Sequence, residues 1–158
     1  MASGSAVAHV KHFMGEKHIL TVRGRYNNIR DICDFVVDGA QTSGLDEGAL
    51  FHVELACDEA CTNIIEHAYE GEDIGDIEVS WRIAKDQFII TFRDHGRSFD
   101  PTNVPPPAMS DLSVEAEPET LKVGGLGIHF MRTLMDDIQY NFDSRGNTLT
   151  MIKQMGDA

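Results

Sequence analysis

Glu59, Asn63 and His67 stand four residues apart, so on a helix each lies about one turn beyond the last, and a carboxylate, an amide and an imidazole can face one ligand. A carboxylate suits a general base, and an amide carbonyl is a hard oxygen donor suited to Mg2+. Further along runs Asp94-His95-Gly96-Arg97-Ser98-Phe99-Asp100-Pro101. An aspartate at a strand end, followed by a glycine without Cβ, can accept a hydrogen bond from a flat amine while the backbone stays close to the ligand. A third motif, Gly124-Gly125-Leu126-Gly127, opens a helical pattern, where backbone N–H groups and the positive helix end can approach a phosphate. Each motif taken singly has a plain structural alternative: a solvated helix face, an ordinary D-x-G turn stopped by proline, a helix start loosened for packing. Neither G-x-x-x-x-G-K-S/T nor a G-x-G-x-x-G after a first strand is present, which rejects the P-loop and Rossmann readings.

These residues need elements to hold them. The stretch HILTVR, from His18 to Arg23, alternates and is β-branched, and a turn at Met14-Gly15-Glu16 would pair it with a short strand near His9 to Phe13. Asn27 or Asn28 can cap a first helix carrying Ile29, Ile32, Cys33, Val36 and Ala40 on one face, ending near Thr42-Ser43-Gly44. A second helix is expected from about Asp46 to Tyr69, closed by Gly71. Its Leu50, Val53, Cys57, Ala60, Cys61, Ile64 and Ala68 fall within an arc of about 100°, with Glu59, Asn63 and Glu66 on the other side. Cys57 and Cys61 lie on the apolar arc and read as buried thiols rather than a metal pair. Two alternating strands follow, Ile77 to Ile83 and Phe88 to Phe92.

Periodicity then disappears between Asp100 and Val123, where Pro105 to Pro107 precede an acidic, serine-rich stretch. A structureless loop of about 20 residues in a compact domain is usually a lid or disordered. A helical pattern through Met135 and two alternating runs, Ile138 to Phe142 and Thr148 to Ile152, complete the chain. Helices and strands segregate, so the expected architecture is α/β: a two-layer sandwich of a mixed, mostly antiparallel sheet with helices packed on one face. One domain over residues 1–158 is expected, with a lid at about 100–123.

The 158 residues are 42% hydrophobic, enough for a core without disulfides, and 13 Lys+Arg against 26 Asp+Glu give a net charge of −13. That charge repels phosphate backbones and anionic lipid and argues against direct nucleic-acid or membrane binding. Three cysteines, the absence of a signal-like opening and the lack of a long apolar run point to a reducing cytoplasm.

In order and spacing, the three motifs resemble the N, G1 and G2 boxes of the GHKL (histidine-kinase-like) ATPase superfamily. ELACDEACTNIIEHAYEG, RDHGRSFDP, GGLGIHFMRTLMDDI and NTLTMIK look more narrowly like the anti-sigma-factor serine/threonine-protein kinases of bacterial partner-switching systems. The resemblance spans residues 15–155, and it implies ATP held with Mg2+ between the helices and the lid. It casts Glu59 as general base, Asn63 as the Mg2+ ligand and Asp94 as the adenine-amine contact, with Gly96 letting adenine approach. Gly124, Gly125, Leu126 and Gly127 would bring backbone donors to the phosphates, and Thr148 matches a threonine supporting the adenine pocket. Ser98 stands where many GHKL proteins have the second glycine of D-x-G-x-G, which with Phe99 sets the hinge into the lid. His67 takes a supporting role, and Arg97 and Lys122 read as solvated charges at the lid edges. The family also implies an anti-anti-sigma (STAS-domain) substrate, a sequestered sigma factor and a homodimer. A second hypothesis is an ATP-binding module that antagonises a partner without phosphotransfer.

Overall fold

A computed structural model describes residues 15–99 and 131–156 of the chain. The expected strand near His9 to Phe13, the lid, Lys122 and Gly124 to Gly127 lie outside the described residues.

Strand β1 (His18–Arg23) leads through a short 3-10 turn into helix α1 (Ile29–Ser43). Asn28 occupies the N-cap position without capping through its side chain; its Nδ2 donates instead to the Arg23 carbonyl at 2.9 Å, tying helix start to strand end. The helix stops at Gly44, whose φ of 103° is the left-handed conformation glycine adopts without Cβ strain. Helix α2 (Glu47–Asn63) starts where Asp46 accepts a hydrogen bond from the Ala49 N–H at 2.9 Å. Instead of continuing as one helix to Tyr69, it passes at Ile64–Ala68 into a π-helical turn. There the Tyr69 N–H reaches back to the Ile64 carbonyl at 2.9 Å, five residues rather than four. No sequence period announces that widened turn, and such turns recur at functional sites.

Strands β2 (Asp76–Ala84), β3 (Gln87–Asp94), β4 (Asp137–Asp143) and β5 (Gly146–Gln154) complete a five-stranded sheet in the order β1-β2-β3-β5-β4. All four pairings among the described residues are antiparallel, so the parallel pair of a mixed sheet is absent from them. The reason is local: tight turns join β2 to β3 and β4 to β5, and the two helices between β1 and β2 return the chain antiparallel.

Both helices cover one face of the sheet. Ile32, Val36 and Ala40 of α1 and Val53, Ala56, Cys57 and Cys61 of α2 are fully enclosed against Ile77, Val79, Phe88, Ile90, Phe92 and Met151. Close packing of α1 depends on Gly39, where an added Cβ would sit 2.5 Å from Trp81 Nε1. Burying a side chain such as Phe92 contributes about 1.5–3 kcal/mol, so this layer fixes α2, and with it Glu59 and Asn63, against the end of β3. Residues 131–134 are helical, and Met131 and Met135 join the same core.

Candidate functional site

At the end of β3 the period-two alternation that buries Phe88, Ile90 and Phe92 also turns Asp94 inward, leaving it only 5% exposed. The chain then kinks back, and the Gly96 N–H donates to Asp94 Oδ1 at 2.9 Å. From the facing strand β5, Asn147 Nδ2 donates to the same oxygen at 2.9 Å and to the Arg97 carbonyl at 2.7 Å. One buried amide therefore clips both the carboxylate and the backbone that follows it. Burial holds the Asp94 carboxyl above its ordinary value, and the hydrogen bonds from Gly96 and Asn147 partly offset the shift.

Thr148 is not part of this cluster. It is paired with Arg93 on β3, while Asn147 is paired with Asp94, and successive β5 side chains point to opposite faces. Asn147, Leu149 and Met151 are buried on the helix side, which places Thr148 on the other face of the sheet. The polar partner that sequence reasoning missed is thus Asn147. The signal was present: counting back by twos from the apolar Met151 and Leu149 leads to Asn147.

Gly96 has a packing role beside the expected close approach to a ligand. An added Cβ there would lie 2.6 Å from the Ala68 carbonyl carbon and 2.8 Å from the Ala68 Cβ, so the missing side chain lets β3 close onto the π-turn. The Arg97 N–H bonds the Ala68 carbonyl at 2.9 Å, and Arg97 Nε donates to the His67 carbonyl at 2.7 Å. Arg97 also lies 3.4 Å from the exposed Glu70 carboxylate, so it fastens the helix end to the segment entering the expected lid. Tyr69 adds a second clasp: its hydroxyl donates to the Asp76 carbonyl at 2.6 Å and accepts from the His95 N–H at 2.9 Å.

Asn63, Asp94 and Phe99 line one small cavity with Ala60, Ala68, Tyr140 and other neighbours. Its volume is about 20 Å3, room for about one water. Phe99 closes it. Its ring stacks on His67 with centroids 4.7 Å apart, and its N–H donates to the Tyr140 hydroxyl at 3.1 Å. Ser98 beside it is exposed. Asn63 is only 4% exposed, and its Nδ2 has no hydrogen-bond partner among the described residues. The half-buried Glu59, one turn earlier on α2, lines a separate, open groove.

A family model described as the histidine kinase-like ATPase domain matches residues 22–153. The chain belongs to this family. Serine-protein kinase RsbW of Listeria monocytogenes serotype 4a (strain HCC23) is 32% identical over 118 residues, covering 75% of this chain and 74% of that protein. Serine-protein kinase RsbW of Bacillus cereus (strain Q1) is 39% identical over 101 residues, covering 64% and 61%. The RsbU and RsbW domains of Rv1364c from Mycobacterium tuberculosis superpose with a TM-score of 0.62 at 16% identity over 90% of this chain, which spans 33% of theirs. The SiaB–SiaC complex of Pseudomonas aeruginosa gives 0.58 at 9% identity, covering 96% of this chain and 98% of that one. At those identities the two solved structures show a shared fold. The names of the closer relatives agree with the serine/threonine kinase expected from the motifs, and ATP is the ligand that a histidine kinase-like ATPase domain implies.

Within this ATPase fold the cysteines are structural. Cys33, Cys57 and Cys61 are buried and free; burial pushes the Cys33 thiol up to about 12 and raises the other two well above the ordinary value. No cluster of three or more His, Cys, Asp or Glu side chains that could hold a metal occurs among the described residues. A nucleotide-borne Mg2+ asks less of a protein, since phosphates and waters supply most of its ligands and one side-chain oxygen suffices. Asn63 fits that demand through its Oδ1: it is a buried amide at the cavity wall beside Asp94. No helix among the described residues is long and apolar enough to cross a membrane.

Proposed function

We propose that this protein binds Mg-ATP and transfers its γ-phosphoryl group to a serine or threonine of an anti-anti-sigma, STAS-domain protein, and that it sequesters a sigma factor when that antagonist is phosphorylated. The observation that carries the reading is the juxtaposition of Asp94 and Asn63 on one cavity with Glu59 one turn away on the same helix. Asp94 offers a fixed carboxylate oxygen to the amine of adenine, and Asn147 holds that carboxylate in place. Phe99 must leave the cavity for a base to enter, and the His67 ring then remains as a stacking wall.

Phosphoryl transfer depends mostly on position and charge compensation. Glu59 accepts the proton of the substrate hydroxyl as its oxygen bonds to the γ-phosphorus. The bond from that phosphorus to the bridging oxygen breaks, and ADP leaves with the electron pair. Asn63 would hold the magnesium ion, whose role is to neutralise phosphate charge when ATP is bound. Gly124, Gly125, Leu126 and Gly127 would supply neutral backbone donors to the phosphates, which suits a protein of net charge −13. The same reading takes the whole chain as one ATPase domain with its lid at about 100–123; a homodimer is implied by the family resemblance alone, and a cytoplasmic location by the three cysteines and the lack of a signal-like opening.

Radiolabelled ATP incubated with the STAS-domain antagonist should yield phosphoserine or phosphothreonine on that antagonist. Glu59→Gln should abolish transfer while sparing ATP binding. ATP bound tightly with no phosphorylated product would overturn the kinase reading in favour of a binding-only antagonist.

A further inference from the structure

Among the described residues, six large hydrophobic side chains are exposed, and three of them, Tyr26 (46%), Phe51 (59%) and Leu55 (38%), line a single groove of about 620 Å3 between α1 and α2. Its charge is one-sided: Glu54, Asp58, Glu59 and Glu66 face it against the single guanidinium of Arg30. The wall at Tyr26 is held in place, because its hydroxyl donates to Glu66 Oε2 at 3.1 Å and its N–H to Glu72 Oε1 at 2.7 Å.

This groove suits a ligand opposite in character to ATP. Four carboxylates repel a triphosphate, and the Asp94 cavity shares none of the groove's lining residues. Glu59 lies in the groove, while Asn63, one turn on, lies in the cavity. We infer that the α1–α2 groove is the docking cleft for the phosphoacceptor protein, taking a cationic, partly apolar segment beside the accepting hydroxyl. A Lys or Arg of that segment meets Glu54 and Asp58, an aliphatic or aromatic side chain packs between Phe51 and Leu55, and the hydroxyl comes to Glu59. This rests on the kinase reading for its substrate. Burying exposed apolar side chains supplies affinity, and the carboxylates supply steering and register.

The test uses the full-length protein with Phe51→Ser and Glu54→Lys, both at exposed positions where folding should be retained, which thermal melting checks. The readouts are KM for the STAS-domain substrate, and the Kd of a fluorescent ATP analogue. Each variant should raise KM by about tenfold or more with ATP affinity within about twofold of wild type. The wild-type KM should also rise as salt goes from about 50 to 300 mM. An unchanged KM in both variants overturns the inference. So does a shift from dimer to monomer without a change in KM, which would give the groove to a second copy, or loss of sigma-factor binding alone. If wild type transfers no phosphate, calorimetric binding of the STAS-domain protein replaces KM. Variants that then lose binding support the groove while sinking the kinase reading, and a wild type that binds no such protein overturns both.

Discussion

Asn147 and Thr148 are adjacent, and the two faces of β5 give them opposite fates. Replacing Asn147 with alanine removes the 2.9 Å hydrogen bond to a buried carboxylate and the 2.7 Å bond to the Arg97 carbonyl. A bond to a charged group contributes about 1.5–3 kcal/mol and one to a neutral carbonyl about 0.5–1.5, so a loss of about 2–4 kcal/mol is expected. For a domain of this size that lowers Tm by about 5–15 °C. Among the described residues Asp94 then keeps only the Gly96 N–H, its orientation relaxes, and ATP affinity should fall by about 10- to 100-fold. Thr148→Ala touches neither bond; it should cost no more than about 1 kcal/mol, the range of β-propensity, and leave ATP affinity unchanged. Urea denaturation and ATP titration of the two variants side by side decide the matter. The reasoning fails if Asn147→Ala is as stable as wild type and binds ATP normally, or if Thr148→Ala is the variant that loses the nucleotide.

Gly96→Ala forces a Cβ against the Ala68 backbone, an overpacking that should cost about 1–3 kcal/mol by chemical denaturation and weaken ATP binding; a variant as stable as wild type would mean that β3 and the π-turn do not meet as described. Asp94→Asn keeps an oxygen for Gly96 and Asn147 but has no charge to bury. Because burial raises the native Asp94 carboxyl, its proton favours folding at low pH, and that contribution is lost as pH rises through the raised native value. Melting across about pH 4–8 should therefore show the variant at least as stable as wild type at neutral pH, yet deficient in ATP binding; a clear loss of stability at neutral pH would contradict this. Asn63→Ala removes a buried amide whose nitrogen is unpaired among the described residues, so it should reduce the Mg2+ dependence of ATP affinity more than it reduces Tm, and an unaltered Mg2+ dependence would count against Asn63 as the ligand oxygen.

Much of this architecture is written in local pattern. The apolar positions of α1 and the alternation of β2 and β3 each bury one face, so period alone locates those elements. Asp94 was legible because a polar residue in phase with Phe88, Ile90 and Phe92 has to be buried with partners. The π-turn was not: apolar spacing through Ile64 and Ala68 is the same for a helix that continues, and the contacts at the wider turn, Gly96 and the Arg97 N–H against Ala68, join residues far apart in sequence. Asn147 was hidden for another reason. Its neighbour Thr148 satisfied a motif by type, whereas the strand's period, counted back from Met151 and Leu149, assigns burial to Asn147, and Asp94 lies across the ladder from it.

On the proposed function, the strong negative charge has a physical use across the two recesses. A uniformly basic cleft would bind ATP and repel a cationic substrate segment, and a uniformly acidic one would do the reverse. Here a single helix separates the two demands: its open flank presents Glu54 and Asp58 to a groove with exposed Phe51 and Leu55, and its inner flank presents the neutral Asn63 to the cavity of Asp94. Asp94 is the sole carboxylate among the described residues lining that cavity, where the proposed function has it meet an amine rather than a phosphate. On the proposed function, sign distinguishes the ligands before shape does, and the reacting groups would converge on Glu59, the carboxylate one helical turn from Asn63.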